Sequence, residues 1–208
     1  MILDQSVHRF LDELASSAPT PGGGSAAAVM GAMGAALLSM VCRLTVGKKD
    51  YESVEASMRE ALARSESLRE QLTAMVAADV QVFEALMAAY KLPRSTDQEK
   101  LARGQAIQEA LKQATDVPLE CAAACAEVLD LSRRVALQGH RSVISDAGVA
   151  ALVAHAALRS AALNVFINVP SIQDAEFVRS RGARLDALLA RCSEASEQVY
   201  QTVLKRLA

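Results

Sequence analysis

Between Glu13 and Arg43 the chain carries no charged side chain. An uncharged stretch this long belongs in a core, at an interface or in a bilayer rather than facing water. Near its start stands Thr20-Pro21-Gly22-Gly23-Gly24-Ser25, followed by an alanine-rich, helix-like run. Three glycines ahead of a buried helix leave backbone N–H groups bare for an anionic or carbonyl ligand. The small residues Ala28, Gly31, Ala32, Gly34 and Ala35 let other backbones approach on more than one side, as suits a central helix or one at a subunit interface. The run 25–42 is nearly long enough to span a bilayer. Its Ala and Gly would drive insertion only weakly, so a buried core helix is expected.

Composition narrows the class. With 208 residues the chain suits one domain, 1–208, large enough to bury a core without metal or disulfide staples. Hydrophobic residues make up 51% and aromatics 3%, with no Trp, so the core is built from Ala, Leu, Val and Met, which favours closely packed helices. Few rings remain to stack on nucleic acid bases. A net charge of -2 provides no general footprint for a polyanion, so an anionic ligand must be held locally. Cys42, Cys121, Cys125 and Cys192 lie in apolar stretches without paired C-x-x-C spacing, and read as reduced core thiols of a cytoplasmic protein. The histidines His8, His140 and His155 have no metal-ligand spacing, so no metal is expected. Met1-Ile2-Leu3-Asp4 does not begin a secretory signal.

Helical periodicity runs through the chain. Val7, Phe10, Leu11 and Leu14 mark a first amphipathic helix that ends before Pro19. After Gly47-Lys48-Lys49 comes a long charged helix whose seam reads Val54, Met58, Ala61, Ser65, Leu68, Leu72, Met75, Asp79, Val82, Leu86, in alternating steps of four and three. Asp79 on that seam needs a partner, a ligand or a perturbed pKa, because an unpaired buried carboxylate costs several kcal/mol. Pro93 stops this helix and the capping box Thr96-Asp97-Gln98-Glu99 starts the next. Pro118 either opens a new helix or kinks a continuing one, and Gly139 ends that segment. A second nearly uncharged run, 143–170, has Ser145 as a candidate N-cap, Asp146 in its first turn, and Asn164 and Asn168 on one face. A last amphipathic helix covers about 174–207.

Each candidate residue has a plainer reading. The glycine turn can be a tight loop, and neither a G-x-G-x-x-G after a strand nor a P-loop is present. Asp79 can be a buried cap or the partner of an arginine, or it can hold a cationic substrate or move a proton. Lys48 and Lys49 can be solvated, Asp146 can satisfy a helix N-terminus, and the two asparagines can bond to backbone or to ligand. From the residues alone the conclusion is an all-helical protein with one or two polar pockets.

A resemblance carries this further. The stretch 19–25, with Leu44-Thr45-Val46-Gly47-Lys48-Lys49, Asp79-Val80-Gln81-Val82-Phe83, Leu92-Pro93-Arg94-Ser95-Thr96 and Ile144-Ser145-Asp146-Ala147-Gly148 through Asn164-Val165-Phe166-Ile167-Asn168, resembles the cyclodeaminase/cyclohydrolase family of folate enzymes. The resemblance covers nearly the whole chain and is greatest to the stand-alone cyclohydrolases. Ser160, where many members carry glycine, and His140-Arg141-Ser142, in place of an asparagine-rich loop, depart from the pattern. It implies an all-α, single-domain antiparallel bundle of about six to seven helices, assembled as a homodimer, with tetrahydrofolate derivatives as substrate and no separate cofactor, nucleic acid or membrane partner. The activity implied is hydrolysis of 5,10-methenyltetrahydrofolate to 10-formyltetrahydrofolate, the alternative being ammonia release from 5-formiminotetrahydrofolate. By the same resemblance Asp79 and Lys48 are catalytic, with Gly22, Gly23, Gly24, Ser25, Lys49, Asp146 and Asn164 binding substrate.

Overall fold

Six α-helices joined by short turns account for nearly all the described residues, and no strand occurs among them. They are α1 (Val7–Leu14), α2 (Gly23–Thr45), α3 (Glu55–Tyr90), α4 (Asp97–Gln138), α5 (Ile144–Asn168) and α6 (Ala175–Leu207). The computed structural model describes residues 5–208 apart from the Ser193 side chain, so the segment Met1-Ile2-Leu3-Asp4 lies outside the described residues.

The uncharged run becomes α2, the central helix, which packs on α3, α4 and α5. Ala27, Ala35, Leu38, Val41 and Cys42 are fully buried along it. The neighbours come close because side chains are missing. A Cβ on Gly31 would stand 2.7 Å from Cys125 Sγ, and one on Gly34 would stand 3.2 Å from the Ala150 carbonyl oxygen. At the far end Gly47, with a left-handed φ of 72°, turns the chain out of the helix.

Helix α3 returns antiparallel to α2, and a buried contact between Ser39 Oγ and Ser65 Oγ at 2.8 Å sets the register. Its seam is buried at Met58, Ala61, Ser65, Leu68 and Leu72, then passes to Val76 instead of Met75. A straight helix has 3.6 residues per turn, so a strict 3.5-residue seam drifts off the buried face over 36 residues.

Helix α4 opens with the expected capping box and runs unbroken through Pro118, which settles that proline as internal to one helix. It lies parallel to α6, and four ion pairs join them: Lys112 with Asp174, Arg181 with Asp116, Arg184 with Glu120, and Arg191 with Asp130. These pairs are partly exposed, each worth about 0–1 kcal/mol, and align the helices more than they hold them. Helix α5 runs antiparallel to α2 and α4. It begins at Ile144 after Val143, which supplies no side-chain cap, so Ser145 is not the N-cap expected from sequence; Asp146 does occupy the first turn.

All four cysteines are free and buried, and burial pushes the Cys42 thiol up to about 11. By length and composition, α2 and the segments Glu52–Tyr90 and Arg141–Ser171 could each cross a membrane; here their helices pack together around one core. Substituting Gly31→Val forces a side chain into Cys125 and Leu72 and is expected to destabilise the fold by about 2–3 kcal/mol, read as a lower midpoint in urea unfolding.

Candidate active site

The first turn of α2 has little side chain of its own. Gly22 caps it without a side-chain hydrogen bond, and the opening N–H groups of such a helix have no acceptor within it. Asp79 of α3 comes to this positive end. Its Oδ2 accepts a 2.7 Å hydrogen bond from the buried Ser25 hydroxyl. A Cβ on Gly24 would lie 2.0 Å from Asp79 Oδ1 and 2.6 Å from its Cγ, so only glycine at position 24 admits the carboxylate. The partner of Asp79 is therefore a neutral hydroxyl, and no cation pairs with it among the described residues. That removes the buried ion pair as an account of this carboxylate and leaves its charge available to a cationic ligand.

The C-terminal end of α5 forms the opposite wall. Asn164 donates through Nδ2 to the Ser160 carbonyl at 2.9 Å, and its amide lies 3.6 Å from where a Cβ on Gly23 would be. Asn168 has a different task. Pro118 lacks an N–H, which frees the Ala114 carbonyl four residues earlier, and Asn168 Nδ2 donates to that oxygen at 2.9 Å. The walls enclose a cavity of about 270 Å³, lined by Pro19, Thr20, Gly22, Gly23, Gly24, Asp79, Val82, Phe83, Leu86, Ala114, Asn164, Ile167 and Asn168. It is an apolar slot with a carboxylate, two amides and a helix N-terminus facing inward. Such a lining suits a flat, partly cationic heterocycle.

Of the residues expected from sequence, Gly22, Gly23, Gly24, Asp79 and Asn164 meet at this cavity, with Ser25 behind Asp79. Lys48, Lys49 and Asp146 do not. The two lysines follow the other end of α2, whose 23 residues measure about 34 Å. Asp146 is 18 residues before Asn164 on α5, about 27 Å away. Because α2 and α5 run antiparallel, these residues lie at the opposite end of the bundle, near Tyr51 and His140. There the Tyr51 hydroxyl accepts from the Arg141 N–H at 3.1 Å, and Thr45 Oγ1 accepts from the His140 N–H at 2.8 Å. Sequence reasoning gave no site role to Thr20 or Phe83, and left Asn168 open between a backbone and a ligand partner; its Nδ2 goes to the Ala114 and Asn164 carbonyls. Phe83 was legible as the residue one turn beyond Asp79, and Asn168 as the partner of Asn164 on one face. No cluster of three His, Cys, Asp or Glu residues that could hold a metal occurs among the described residues.

The profile of the formiminotransferase-cyclodeaminase family matches residues 6–187. The chain belongs to this family. It is 55% identical to a methenyltetrahydrofolate cyclohydrolase of Methylorubrum extorquens, covering 98% of both chains. It is 36% identical to the formimidoyltransferase-cyclodeaminase of Rattus norvegicus over 90% of its own length, and spans 35% of that longer protein. The crystal structure of formiminotetrahydrofolate cyclodeaminase from Thermotoga maritima matches it with a TM-score of 0.82 and 32% identity, over 100% of this chain and 98% of that one.

The fit of Asp79 against α2 predicts that Gly24→Ala displaces the carboxylate and destabilises the fold by about 1–3 kcal/mol. Ser25→Ala, which only removes the hydroxyl donor, is expected to cost about 1 kcal/mol. Denaturant unfolding of the two variants side by side checks the order.

Proposed function

We propose that this member of the family hydrolyses 5,10-methenyltetrahydrofolate to 10-formyltetrahydrofolate. The observation that carries this choice over ammonia release is the 55% identity, end to end, with a protein named for that hydrolysis. The cavity's chemistry supports the same class of substrate. Methenyltetrahydrofolate has a cationic, amidine-like ring, and Asp79 offers it a carboxylate without a competing cation. In this mechanism Asp79 accepts a proton as water adds to the bridging carbon, then returns it to N5 as the carbon–N5 bond breaks, while the carbinol hydroxyl loses its own proton to solvent and becomes the formyl C=O on N10. The bare N–H groups at Gly23 and Gly24 steady the oxygen that develops negative character. Gly22, Ser25 and Asn164 shape the slot. These steps call for no cofactor; the folate is the substrate.

Lys48 enters this chemistry only if a second copy supplies it, and Lys49 and Asp146 are given no substrate contact within one chain. A homodimer is the assembly proposed, in the cytoplasm. It is supported by the apolar residues that the two adjacent, nearly uncharged helices leave exposed: Met33, Met40 and Leu44 on α2, with Val149, Leu152, Leu163 and Phe166 on α5. If two such faces pack with their α2 helices antiparallel, the Lys48 end of one copy meets the glycine end of the other.

The direct assay follows loss of the methenyl chromophore. Purified protein should remove it well above the uncatalysed rate and release no ammonia from formiminotetrahydrofolate; the reverse result assigns the chain to the cyclodeaminases. Asp79→Asn should keep the helical spectrum and melting behaviour while losing at least about a hundredfold in kcat. A folded variant with unchanged kcat takes Asp79 out of the mechanism. Mixing inactive Asp79→Asn with inactive Lys48→Met chains should restore roughly a quarter of the wild-type activity if sites are shared between copies. No recovery, or a fully active Lys48→Met variant, removes Lys48.

A further inference from the structure

The cavity at Asp79 continues. A second groove, of about 480 Å³, shares Pro19, Thr20 and Phe83 with the first and goes on past Met87 to Lys91. The shared wall follows from helix geometry. Asp79, Phe83, Met87 and Lys91 recur every fourth residue, so they form one continuous ridge along α3 and its C-cap, with the 19–20 loop opposite. The ridge has a carboxylate at one end, an aromatic ring and a thioether in the middle, and an ammonium at the other end. Side chains on a helix lean toward its N-terminus, so Lys91 leans back along the ridge toward Met87 and Phe83. From Asp79 to Lys91 is 12 residues, about 18 Å along the axis.

Resting on the folate reading of this site, we propose that this groove binds the aminobenzoyl-glutamate tail of the substrate, with Lys91 holding the glutamate carboxylates. The order of groups along the ridge matches the order along such a molecule. A cationic ring lies at Asp79, a flat apolar arene crosses Phe83 and Met87, and a dianion reaches the ammonium. Lys49, the lysine that the resemblance placed among the substrate-binding residues, is at the other end of α2, whereas Lys91 lies on the wall of a groove that shares Pro19, Thr20 and Phe83 with the Asp79 cavity. Glu84 lines the same groove and works against an anion there. It stands seven residues, nearly two turns, before Lys91, beside the arene stretch, so it sets the tail carboxylates toward the Lys91 end and disfavours a tail shifted back along the ridge.

The test crosses residue with substrate. Two substrates are compared, methenyltetrahydrofolate and the methenyltetrahydropteroate that lacks glutamate, with wild type, Lys91→Ala and Lys91→Arg. Lys91 is exposed at a helix end, so its variants keep the fold, checked by melting. Lys91→Ala should raise KM for the glutamate-bearing substrate about five- to tenfold with kcat unchanged, and leave KM for the pteroate unchanged. Lys91→Arg should restore the first value. An equal rise for both substrates, or no rise for either, overturns the assignment of the tail to Lys91. A wild type that hydrolyses neither substrate overturns the folate reading itself, and the tail site with it. Wild-type turnover with an indifferent Lys91→Ala rejects the tail site alone.

Discussion

Helix α2 can occupy the centre of this bundle because it has little side chain to keep its neighbours away. At Gly31 the limiting contact is a cysteine sulfur, at Gly34 a backbone carbonyl, and at Gly24 a carboxylate. The first two are packing contacts of the kind that gives a protein interior its density, and a methyl group added at either position forces the neighbour back. The third is different, because the atom that fills the missing Cβ's space belongs to a carboxylate that lines the cavity. One structural device, the absence of a side chain on α2, thus packs three helices around a core and lets Asp79 reach a helix N-terminus.

The site is held together from outside as well. An internal proline in α4 leaves the Ala114 carbonyl without its helical donor, and the Asn168 amide takes up that oxygen. This ties the end of α5 to α4 beside the cavity, which places Asn164 across from the glycines. Asp79, Asn164 and Asn168 are each fixed by a hydroxyl or backbone partner, so these walls are preorganised before any ligand arrives, while the opening N–H groups of α2 stay open to it. The only side-chain partner of Asp79 is a hydroxyl, and no cation among the described residues competes for its carboxylate. That is what distinguishes Asp79 from the paired acids on α4, such as Asp116 and Glu120, which are spent on α6.

Much of this was legible along the chain. The uncharged run became the central helix, Asp79 on an apolar seam marked the cavity, and the asparagines of 143–170 lay on one face. Other expectations failed where they depended on direction in space. Lys48 and the glycines bound the same helix, and it is because they bound it that they are about 34 Å apart. Ser145 had the chemistry of an N-cap, yet the helix began two residues before such a cap would start it, behind a short 3₁₀ turn, Arg141–Val143. Pro118 could not be resolved locally, since whether a helix survives a proline depends on what takes up the freed carbonyl.

The sequence by itself determined the helices, the small-residue contacts of α2 and the one carboxylate out of place, because periodicity, charge and side-chain size are properties of neighbours along the chain. Tertiary structure decided which ends met. Antiparallel packing brought Gly24, Asp79 and Asn164 to one end of the bundle and sent Lys48, Lys49 and Asp146 to the other. Residues close on the chain lie on one helix and keep its distances, whereas residues 54 and 85 positions apart, Ser25 with Asp79 and Asp79 with Asn164, come to one cavity only through the packing of one helix on another.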